Sequence, residues 1–227
     1  MRLTILSTIL ILSLRAAAYA AETNITVYVG STKLLVPAPA HYVEVGSENR
    51  AFPTEIPSRL LAWFVTPSDL KNFGSKSPRF LKRYMQLQVS KGEENQDITA
   101  LRFAEVVGDA SAHLNDMDAS AVPEVKRIMK QLASGSKDFP DLEIGHPKPL
   151  GSFLKTETAV GFLTLMPVSS NSTSGKKQIP MVCGTTLVRV KQKLLFAYVY
   201  CAADNKEAID WVKSAATSWV EAILKAN

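Results

Sequence analysis

Serine residues that precede a lysine by three positions come nearest to a catalytic motif in this sequence. In serine acyl-transferring enzymes, such a Ser-x-x-Lys pair supplies a nucleophilic hydroxyl and a basic amine. The pattern occurs at Ser68/Lys71, Ser134/Lys137, Ser152/Lys155 and Ser174/Lys177. The Lys-Thr-Gly segment that accompanies it in such enzymes is absent, and so is the Gly-x-Ser-x-Gly elbow of other serine hydrolases. Ser-x-x-Lys pairs that lack the accompanying Lys-Thr-Gly segment are expected by chance. The sequence therefore predicts no catalytic residue.

Metal-binding and phosphate-binding patterns are equally incomplete. The histidines His41, His113 and His146 have no second histidine or cysteine at the spacing that a zinc site uses. The Asp116-x-Asp118 step begins like a calcium loop, but the glycine and the final glutamate of that loop are missing. Residues 174–177 contain a Gly-Lys step without the rest of a phosphate-binding loop. We therefore predict no metal ion and no cofactor.

The two cysteines, Cys183 and Cys201, lie on consecutive predicted strands around residues 191–193. If all three of these residues form the loop, Val190 faces Leu194, and the two cysteines lie opposite each other on one face. A two-residue turn shifts the register by one and sends them to opposite faces. Two-residue turns favour Asn-Gly or Asp-Gly, which this loop lacks. We predict a disulfide between Cys183 and Cys201, with two buried free thiols as the alternative.

The N-terminus has the three parts of a secretory signal peptide. Arg2 supplies the positive charge, residues 3–14 form an apolar stretch, and Ala18 and Ala20 flank Tyr19 in a small-x-small pattern. The apolar stretch is shorter than the roughly 20 residues of a transmembrane span, although an uncleaved anchor is the alternative. We therefore expect cleavage between Ala20 and Ala21.

Two regions follow from this prediction: a signal peptide over residues 1–20 and a single soluble domain over residues 21–227. Hydrophobic residues make up 46% and charged residues 21% of the chain, which excludes a disordered protein. Lysine and arginine are dispersed along the chain, whereas nucleic-acid-binding proteins concentrate them on one face. We therefore expect a periplasmic or secreted protein that binds no nucleic acid and has no stable membrane insertion after processing.

Short apolar runs predict strands in the first part of the mature chain. Residues 25–29 and 33–36 form a predicted hairpin around Gly30 and Ser31, and a short edge strand is expected at residues 41–43. Residues 60–65 are predicted as a buried strand. Residues 83–90 alternate between polar and apolar side chains, which predicts a strand with one buried face.

Apolar residues spaced by three and four predict three helices. The first covers residues 98–114 with Asp97 as its N-cap, and the second covers residues 120–135. The last begins near Asp204, and its apolar face consists of Ile209, Val212, Ala216, Trp219, Val220 and Ile223. Trp211 lies one position off that face.

Between the second and third helices the apolar period returns to two. Strands are predicted over residues 150–156, 159–168, 179–190 and 194–202, with a flexible polar loop over residues 169–177. Sequential strands of this kind form an antiparallel meander. The last two strands are apolar on both sides and so need a layer on each. The predicted fold class is α+β, with a mainly antiparallel sheet covered by helices as an α/β/α sandwich.

Two segments carry a resemblance to known proteins. Residues 145–151 precede the meander, and residues 188–200 lead into the helix that contains Trp211 and Trp219. Together they resemble a group of uncharacterised exported proteins of Gram-negative bacteria. The order of elements is also similar to the Mog1/PsbP-like α/β/α sandwich. This second resemblance implies an accessory or binding role, because most members of that superfamily are not enzymes.

These observations predict an exported soluble accessory or binding protein of the cell envelope, without catalytic activity. Its partner would be an envelope protein or a small ligand that the sequence does not identify. One alternative is a periplasmic hydrolase acting on envelope material, which would join His146 or His41 with a serine and a carboxylate. The other alternative is a structural subunit of an envelope complex.

Overall fold

The computed structural model describes residues 24–45, 57–71, 81–113, 142–172, 175–203 and 207–227. Within these ranges, no helix is long and apolar enough to cross a membrane. The predicted signal peptide, its cleavage site between Ala20 and Ala21, and the predicted helix over residues 120–135 lie outside the described residues.

The N-terminal hairpin forms as the sequence predicts. Strands β1 (Asn24–Val29) and β2 (Thr32–Pro37) pair in antiparallel fashion, with Val29 opposite Thr32. Gly30 in the turn has a positive φ of 55°, and a Cβ atom there would lie 2.8 Å from the Asn95 side chain. Glycine meets both requirements of this turn, its backbone angle and its close approach to the neighbouring loop.

The remaining strands form one open antiparallel sheet, which confirms the α+β class. Its order is β3-β4-β5-β10-β9-β8-β6, and β7 also pairs with β8. The strands are β3 (Val43–Glu44), β4 (Ser58–Val65), β5 (Arg83–Ser90), β6 (Leu142–Ile144), β7 (Lys148–Lys155), β8 (Ala159–Ser172), β9 (Gly175–Val190) and β10 (Lys193–Ala202). The prediction of a loop over residues 169–177 is wrong for the residues that the structure describes. Strand β8 continues to Ser172, and β9 begins at Gly175.

Strand β5 has the predicted bounds but is buried on both faces. Gln86 and Gln88 are only 7% and 8% exposed, so the prediction of one solvent-facing side is wrong. Their carboxamides are hydrogen-bonded instead. Gln88 Nε2 donates to Gln86 Oε1 (3.1 Å), and the Ser58 hydroxyl donates to Gln88 Oε1 (2.8 Å). A glutamine whose polar atoms are bonded in this way can leave water at little net cost.

The C-terminal helix packs across one side of this sheet, which we name the first face. This helix, α3, spans Glu207–Lys225. Its buried residues are Ala208, Val212, Ala216, Trp219, Val220 and Ile223. The predicted apolar face is therefore confirmed, except that Ala208 is buried in place of Ile209. The Trp219 ring lies edge-on to Phe64 with centroids 5.6 Å apart, and its Nε1 donates to the Pro37 carbonyl (3.0 Å).

The opposite side of the sheet, the second face, receives the helix α2 (Ala100–His113). Phe103 of this helix is buried in a cluster with Phe162 and Leu187 of the sheet. Thr99 caps the helix, since its hydroxyl accepts from the Arg102 backbone N–H (3.2 Å). The prediction of Asp97 as the cap is wrong, because the Asp97 carboxylate pairs with the ammonium of Lys193 instead (2.8 Å).

The register between β9 and β10 corrects the predicted disulfide. Val190 pairs with Lys193, so the connection is a two-residue turn at Lys191 and Gln192 rather than a three-residue loop. Cys183 then faces Tyr200, while Cys201 faces Val182. Neighbouring positions of a strand point to opposite faces, so the cysteines lie on different sides of the sheet. Both are buried and free.

Contacts from elsewhere in the chain explain why this turn forms without glycine. Lys191 and Gln192 have φ values of 45° and 65°, as two-residue hairpin turns require. The backbone N–H of Ile98 donates to the Gln192 carbonyl (2.6 Å). The buried ammonium of Lys193 bonds Asp97 and also donates to the Gln96 carbonyl (3.1 Å). The segment that precedes α2 therefore holds the turn in a conformation that its own residues do not favour.

Candidate functional site

A cleft of about 370 Å³ opens where β4 leads into a short helix, β5 begins and β10 ends. The helix is α1 (Pro67–Leu70). The lining residues are Thr66, Ser68, Asp69, Lys82, Arg83, Cys201 and Ala202. The volume falls within the range of about 300–1,000 Å³ that is typical of small-molecule sites. Cys201 and Ala202 are buried and supply the apolar part of the lining, while the other groups are polar or charged.

The guanidinium of Arg83 lies over the Trp211 ring of α3 at the edge of this cleft. Arg83 is the first residue of β5 and pairs with Cys201 of β10, so both side chains project from the first face. The Arg83 Cζ atom lies 4.6 Å from the centre of the Trp211 ring. A cation above an indole face is attracted by the negative charge of the ring surface.

Tyr42 is a second neighbour of the same tryptophan, with ring centroids 6.5 Å apart. A tight turn positions it, in which the Tyr42 N–H donates to the Pro39 carbonyl (3.0 Å) and His41 has a positive φ of 68°. Burial raises the pKa of Tyr42 to about 12, and the positive charge of Arg83 acts in the opposite direction. The Tyr42 hydroxyl is therefore neutral at physiological pH and can donate a hydrogen bond.

The hydroxyl and carboxylate groups of the cleft come from the first turn of α1. The Thr66 hydroxyl accepts from the Asp69 backbone N–H (3.2 Å) and donates to Asp69 Oδ2 (2.7 Å). Ser68 Oγ lies 2.9 Å from Thr66 Oγ1. The first of these bonds makes Thr66 the N-cap of α1, and the second joins its hydroxyl to the acidic residue three positions later. The same contacts form a serine–threonine–aspartate chain that faces the cleft.

A second polar cluster lies on the second face and has a different character. Tyr84 and Tyr200 stack with centroids 4.4 Å apart, and Tyr198 lies 6.1 Å from Tyr200. Cys183 is beside them, with its sulfur 3.6 Å from Thr185 Oγ1. Burial raises the pKa of the Cys183 thiol to about 11 and also raises the pKa values of these three tyrosines. The cluster is protonated at neutral pH and contains no activated nucleophile.

The structure separates most of the residues that the sequence singled out. Ser68 lines the cleft, whereas Lys71 is exposed at the end of α1, and Ser152 and Lys155 are exposed on β7. Cys201 also lines the cleft, but Cys183 does not. The serine–lysine pair Ser134/Lys137 and the residues Asp116, Asp118 and Ser174 lie outside the described residues.

The histidines are also apart from the cleft lining. His41 and His146 are both exposed, and neither is among the residues that line the cleft. The side chain of His113 lies outside the described residues. Across the described ranges, no three histidine, cysteine, aspartate or glutamate residues are grouped closely enough to hold a metal ion.

Sequence reasoning missed Arg83, Trp211 and Asp69 as members of a site. Two signals were present: the Thr66-Pro67-Ser68-Asp69 segment has the spacing of a capping box, and Trp211 lies off the apolar face of its helix. Neither signal indicates that the two regions meet. Their contact depends on how α3 lies across the sheet, which is a property of the tertiary structure.

Comparison with known proteins yields weak similarity at the level of fold. No family model and no curated protein matches the chain. Among solved structures, the chain is similar to the cyanobacterial PsbP (CyanoP) of Synechocystis sp. PCC 6803, with 12% identity over 82% of this chain and 83% of that chain and a TM-score of 0.36. It is also similar to a mutant of the protein Mog1, with 11% identity over 89% of this chain and 92% of that chain and a TM-score of 0.32. These values support a weak resemblance to the fold of PsbP and Mog1.

Proposed function

We propose that the protein is an exported accessory or binding protein of the cell envelope, without catalytic activity, and that the cleft receives its ligand. The observation that carries the proposal is the Arg83 guanidinium, which lies over the Trp211 ring at the edge of a cavity of about 370 Å³. Export is supported by the signal-peptide pattern of residues 1–20.

The cleft is built on paired strands and a packed helix, which favours binding. Arg83 and Cys201 are partners in the central pair of strands β5 and β10. Trp211 belongs to a helix of which one whole face is buried against the sheet. A site built on such elements is more precisely formed than a site built on loops.

A hydrolase is the second candidate, and the Ser68–Thr66–Asp69 chain of hydrogen bonds is the observation that favours it. A hydroxyl that passes its proton through a second hydroxyl to a carboxylate could act as a nucleophile. The chain has a simpler explanation, because the same bonds satisfy the first turn of α1. We therefore rank the hydrolase below the binding protein.

The structural-subunit alternative would need a continuous apolar surface. Large exposed apolar residues in the described chain are Tyr28, Leu101 and Leu150. They belong to three different elements, namely β1, α2 and β7. Isolated apolar residues of this kind are normal on protein surfaces, so this alternative ranks third.

Native mass spectrometry of the protein exported by its own host tests the proposed function. We expect a small-molecule adduct on the wild-type protein. The adduct should be lost from the variant Ser68→Phe, whose larger side chain blocks the cleft. The matched control is Ser152→Phe, which places the same side chain on the exposed strand β7 and should keep the adduct. A wild-type protein without any adduct, or an adduct kept by Ser68→Phe, would count against the proposal.

The hydrolase alternative makes the opposite prediction for Ser68→Ala. If the protein degrades isolated envelope material and Ser68→Ala abolishes that degradation, the binding proposal is wrong. Export is tested separately by N-terminal sequencing of the secreted or periplasmic product, which should begin at Ala21. Recovery of only the full-length, membrane-bound chain would contradict the predicted processing.

A further inference from the structure

The N-terminal hairpin has two outer edges, which are the rows of backbone groups that point away from the partner strand. Val29 and Thr32 flank the two-residue turn and form the first hydrogen-bonded pair of β1 and β2. Hydrogen-bonded and non-hydrogen-bonded pairs alternate along an antiparallel ladder. Thr26 and its partner Leu35 therefore form a non-hydrogen-bonded pair, and their N–H and C=O groups belong to the outer edges of β1 and β2.

Side chains close the outer edge of β2. The Asn227 carboxamide accepts from the Leu35 N–H (3.0 Å) and donates to the Leu35 carbonyl (2.7 Å), as a residue of a paired strand would. Two positions along, the Trp219 Nε1 donates to the carbonyl of Pro37 (3.0 Å), which has no N–H to offer. Another strand would have to displace these bonds before it paired with β2.

The outer edge of β1 is not closed in this way. At its turn end, the Tyr28 carbonyl accepts from the guanidinium of Arg59 (2.8 Å). In the parts of the chain that the structure describes, the outward N–H and C=O groups of Thr26 have no hydrogen-bond partner. The residues Asn24, Thr26 and Tyr28 are all exposed. Unpaired backbone groups at an exposed edge are a template for another strand.

Other edge strands of the protein have the features that prevent such pairing, namely short length, bulges, proline and charged side chains. Strands β3 and β6 have two and three residues. Strand β7 carries a lysine at each end, contains Pro149 and has two irregularities in its register with β8. Strand β1 has six residues in regular register with β2, and its sequence contains no proline and no charged residue. Its composition is therefore that of a strand that can pair.

Symmetry and charge favour a second copy of this chain as the strand that pairs with β1. Two antiparallel β1 strands related by a two-fold axis present the same edge to each other, and the assembly closes as a dimer. Thr26 is the middle one of the three outward residues, so full pairing places Thr26 opposite Thr26 of the second copy and Asn24 opposite Tyr28. None of these residues is charged, so no like charges meet.

We propose that the outer edge of β1 pairs with the same edge of a second copy, which joins two hairpins into a four-stranded antiparallel sheet with Thr26 at its centre. This interface is separate from the cleft, so the inference goes beyond the proposed function. Six residues per copy are far fewer than the roughly 20–30 per side of a stable interface. The dimer should therefore be weak, with a dissociation constant between about 10 µM and 1 mM.

Sedimentation equilibrium of the purified protein, over that range of concentrations, tests the pairing. The wild-type protein should form a dimer as its concentration rises.

Thr26→Pro should keep the protein monomeric, because it removes the outward N–H from both copies. The hairpin itself loses no bond, since the pair of Thr26 and Leu35 is not hydrogen-bonded. The matched control is Thr26→Ala, which keeps the N–H and should dimerise within about 5-fold of the wild-type affinity. Circular dichroism checks that each variant is folded.

Charged variants test the two-fold register, and they leave the backbone of the exposed residue Thr26 unchanged. Thr26→Lys and Thr26→Glu should each weaken the dimer by about 5-fold or more, because like charges then face each other across the axis. An equimolar mixture of the two variants should associate more tightly than either variant alone, because opposite charges meet. The matched control is Ser152→Lys on the exposed strand β7, which should leave the dimer unchanged.

Three results would overturn the proposal: a wild-type protein that is monomeric throughout the range, a folded Thr26→Pro variant that dimerises like the wild type, or a mixture that associates no more tightly than its components. A monomeric wild type that carries another protein, lost from Thr26→Pro, would assign the edge of β1 to that partner and reject the second copy. The adduct test with Ser68→Phe concerns the cleft, so the proposed function and this inference fail separately.

Discussion

The two faces of the main sheet are built on different principles. The first face, under α3, is sealed by aliphatic and aromatic packing, with Val212, Trp219 and Ile223 buried against the strands. The second face carries a ladder of aromatic rings on β10, with Phe196, Tyr198 and Tyr200 stacked in order. Glutamine, threonine and cysteine side chains on the neighbouring strands share this second face with the ladder.

Two polar side chains at the end of the C-terminal helix attach it to the hairpin. The Trp219 indole donates to the Pro37 carbonyl (3.0 Å). The Asn227 side chain bonds both the N–H and the carbonyl of Leu35, at 3.0 Å and 2.7 Å. These bonds fix the end of α3 against the edge of β2.

The difference shows two ways of keeping water out of one sheet. The first face depends on shape, so its stability should respond to changes in volume. The second face depends on bonded polar groups, so its stability should respond to changes in protonation. The candidate cleft opens from the first face at the end of the sheet, where Arg83 replaces aliphatic packing with a charged contact to Trp211.

The largest expected effect is the loss of Trp219 on the first face. Its side chain is 2% exposed and packs on Phe64, so Trp219→Ala should lower the free energy of unfolding by about 3–5 kcal/mol. Urea denaturation measures the change. Lys213→Ala on the outer side of the same helix should change it by less than about 0.5 kcal/mol. Equally mild effects would mean that α3 is not packed on the core.

A glycine of the first face should be the next most sensitive position. A Cβ atom at Gly184 would lie 2.7 Å from Val212 Cγ1, so Gly184→Ala should lower the free energy of unfolding by about 1–3 kcal/mol. The second change Val212→Ala should reduce that penalty in a double-mutant cycle.

The control for this substitution is Gly108→Ala in α2, where a Cβ atom meets nothing within 4 Å. Alanine is the better helix former, so Gly108→Ala should stabilise the protein by about 0.5–1 kcal/mol. If both glycine variants shifted the urea midpoint in the same direction, the close contact between β9 and α3 would be wrong.

The second face should respond to alkaline pH. Burial raises the pKa of Cys183 from 9.0 to about 11, so above pH 9 the unfolded chain releases a proton that the folded chain retains. The free energy of unfolding should therefore fall between pH 9 and 11, by about 1.4 kcal/mol per pH unit for this group.

The tyrosines of the second face extend this loss of stability above pH 10, because burial raises the pKa values of Tyr84 and Tyr200 in the same direction. Urea denaturation at several pH values measures the slope. Cys183→Ala should remove the part of the loss that lies between pH 9 and 10. A free energy of unfolding that is constant up to pH 11 would contradict the buried cluster.

The smallest effect concerns the cysteines, which the structure places on opposite faces. Thiol titration of the unfolded, unreduced protein should find two reactive thiols, because Cys183 and Cys201 are both free. In the folded protein both should react slowly, since they are 4% and 3% exposed. A protein without reactive thiols after unfolding would restore the predicted disulfide and reject the observed register of β9 and β10.

Much of the local structure could be predicted because it depends on neighbouring residues. The hairpin around Gly30 follows from a glycine that can adopt a positive φ, and the strand over Arg83–Ser90 follows from an alternating pattern. The buried face of α3 follows from apolar residues at helical spacing. In each case the signal and the structure lie within the same short segment.

The sequence by itself thus determined the N-terminal hairpin, the bounds of β5 and the face that α3 buries, since these depend on spacing along one segment. Tertiary structure decided the register of β9 and β10, because distant residues 96–98 hold Lys191 and Gln192 in an unfavoured turn. Tertiary structure also formed the cleft, because it places Thr66 and Cys201 in one lining and the Arg83 guanidinium over the Trp211 ring. Residues so far apart along the chain meet only when the sheet and helix pack, and no local pattern encodes that contact.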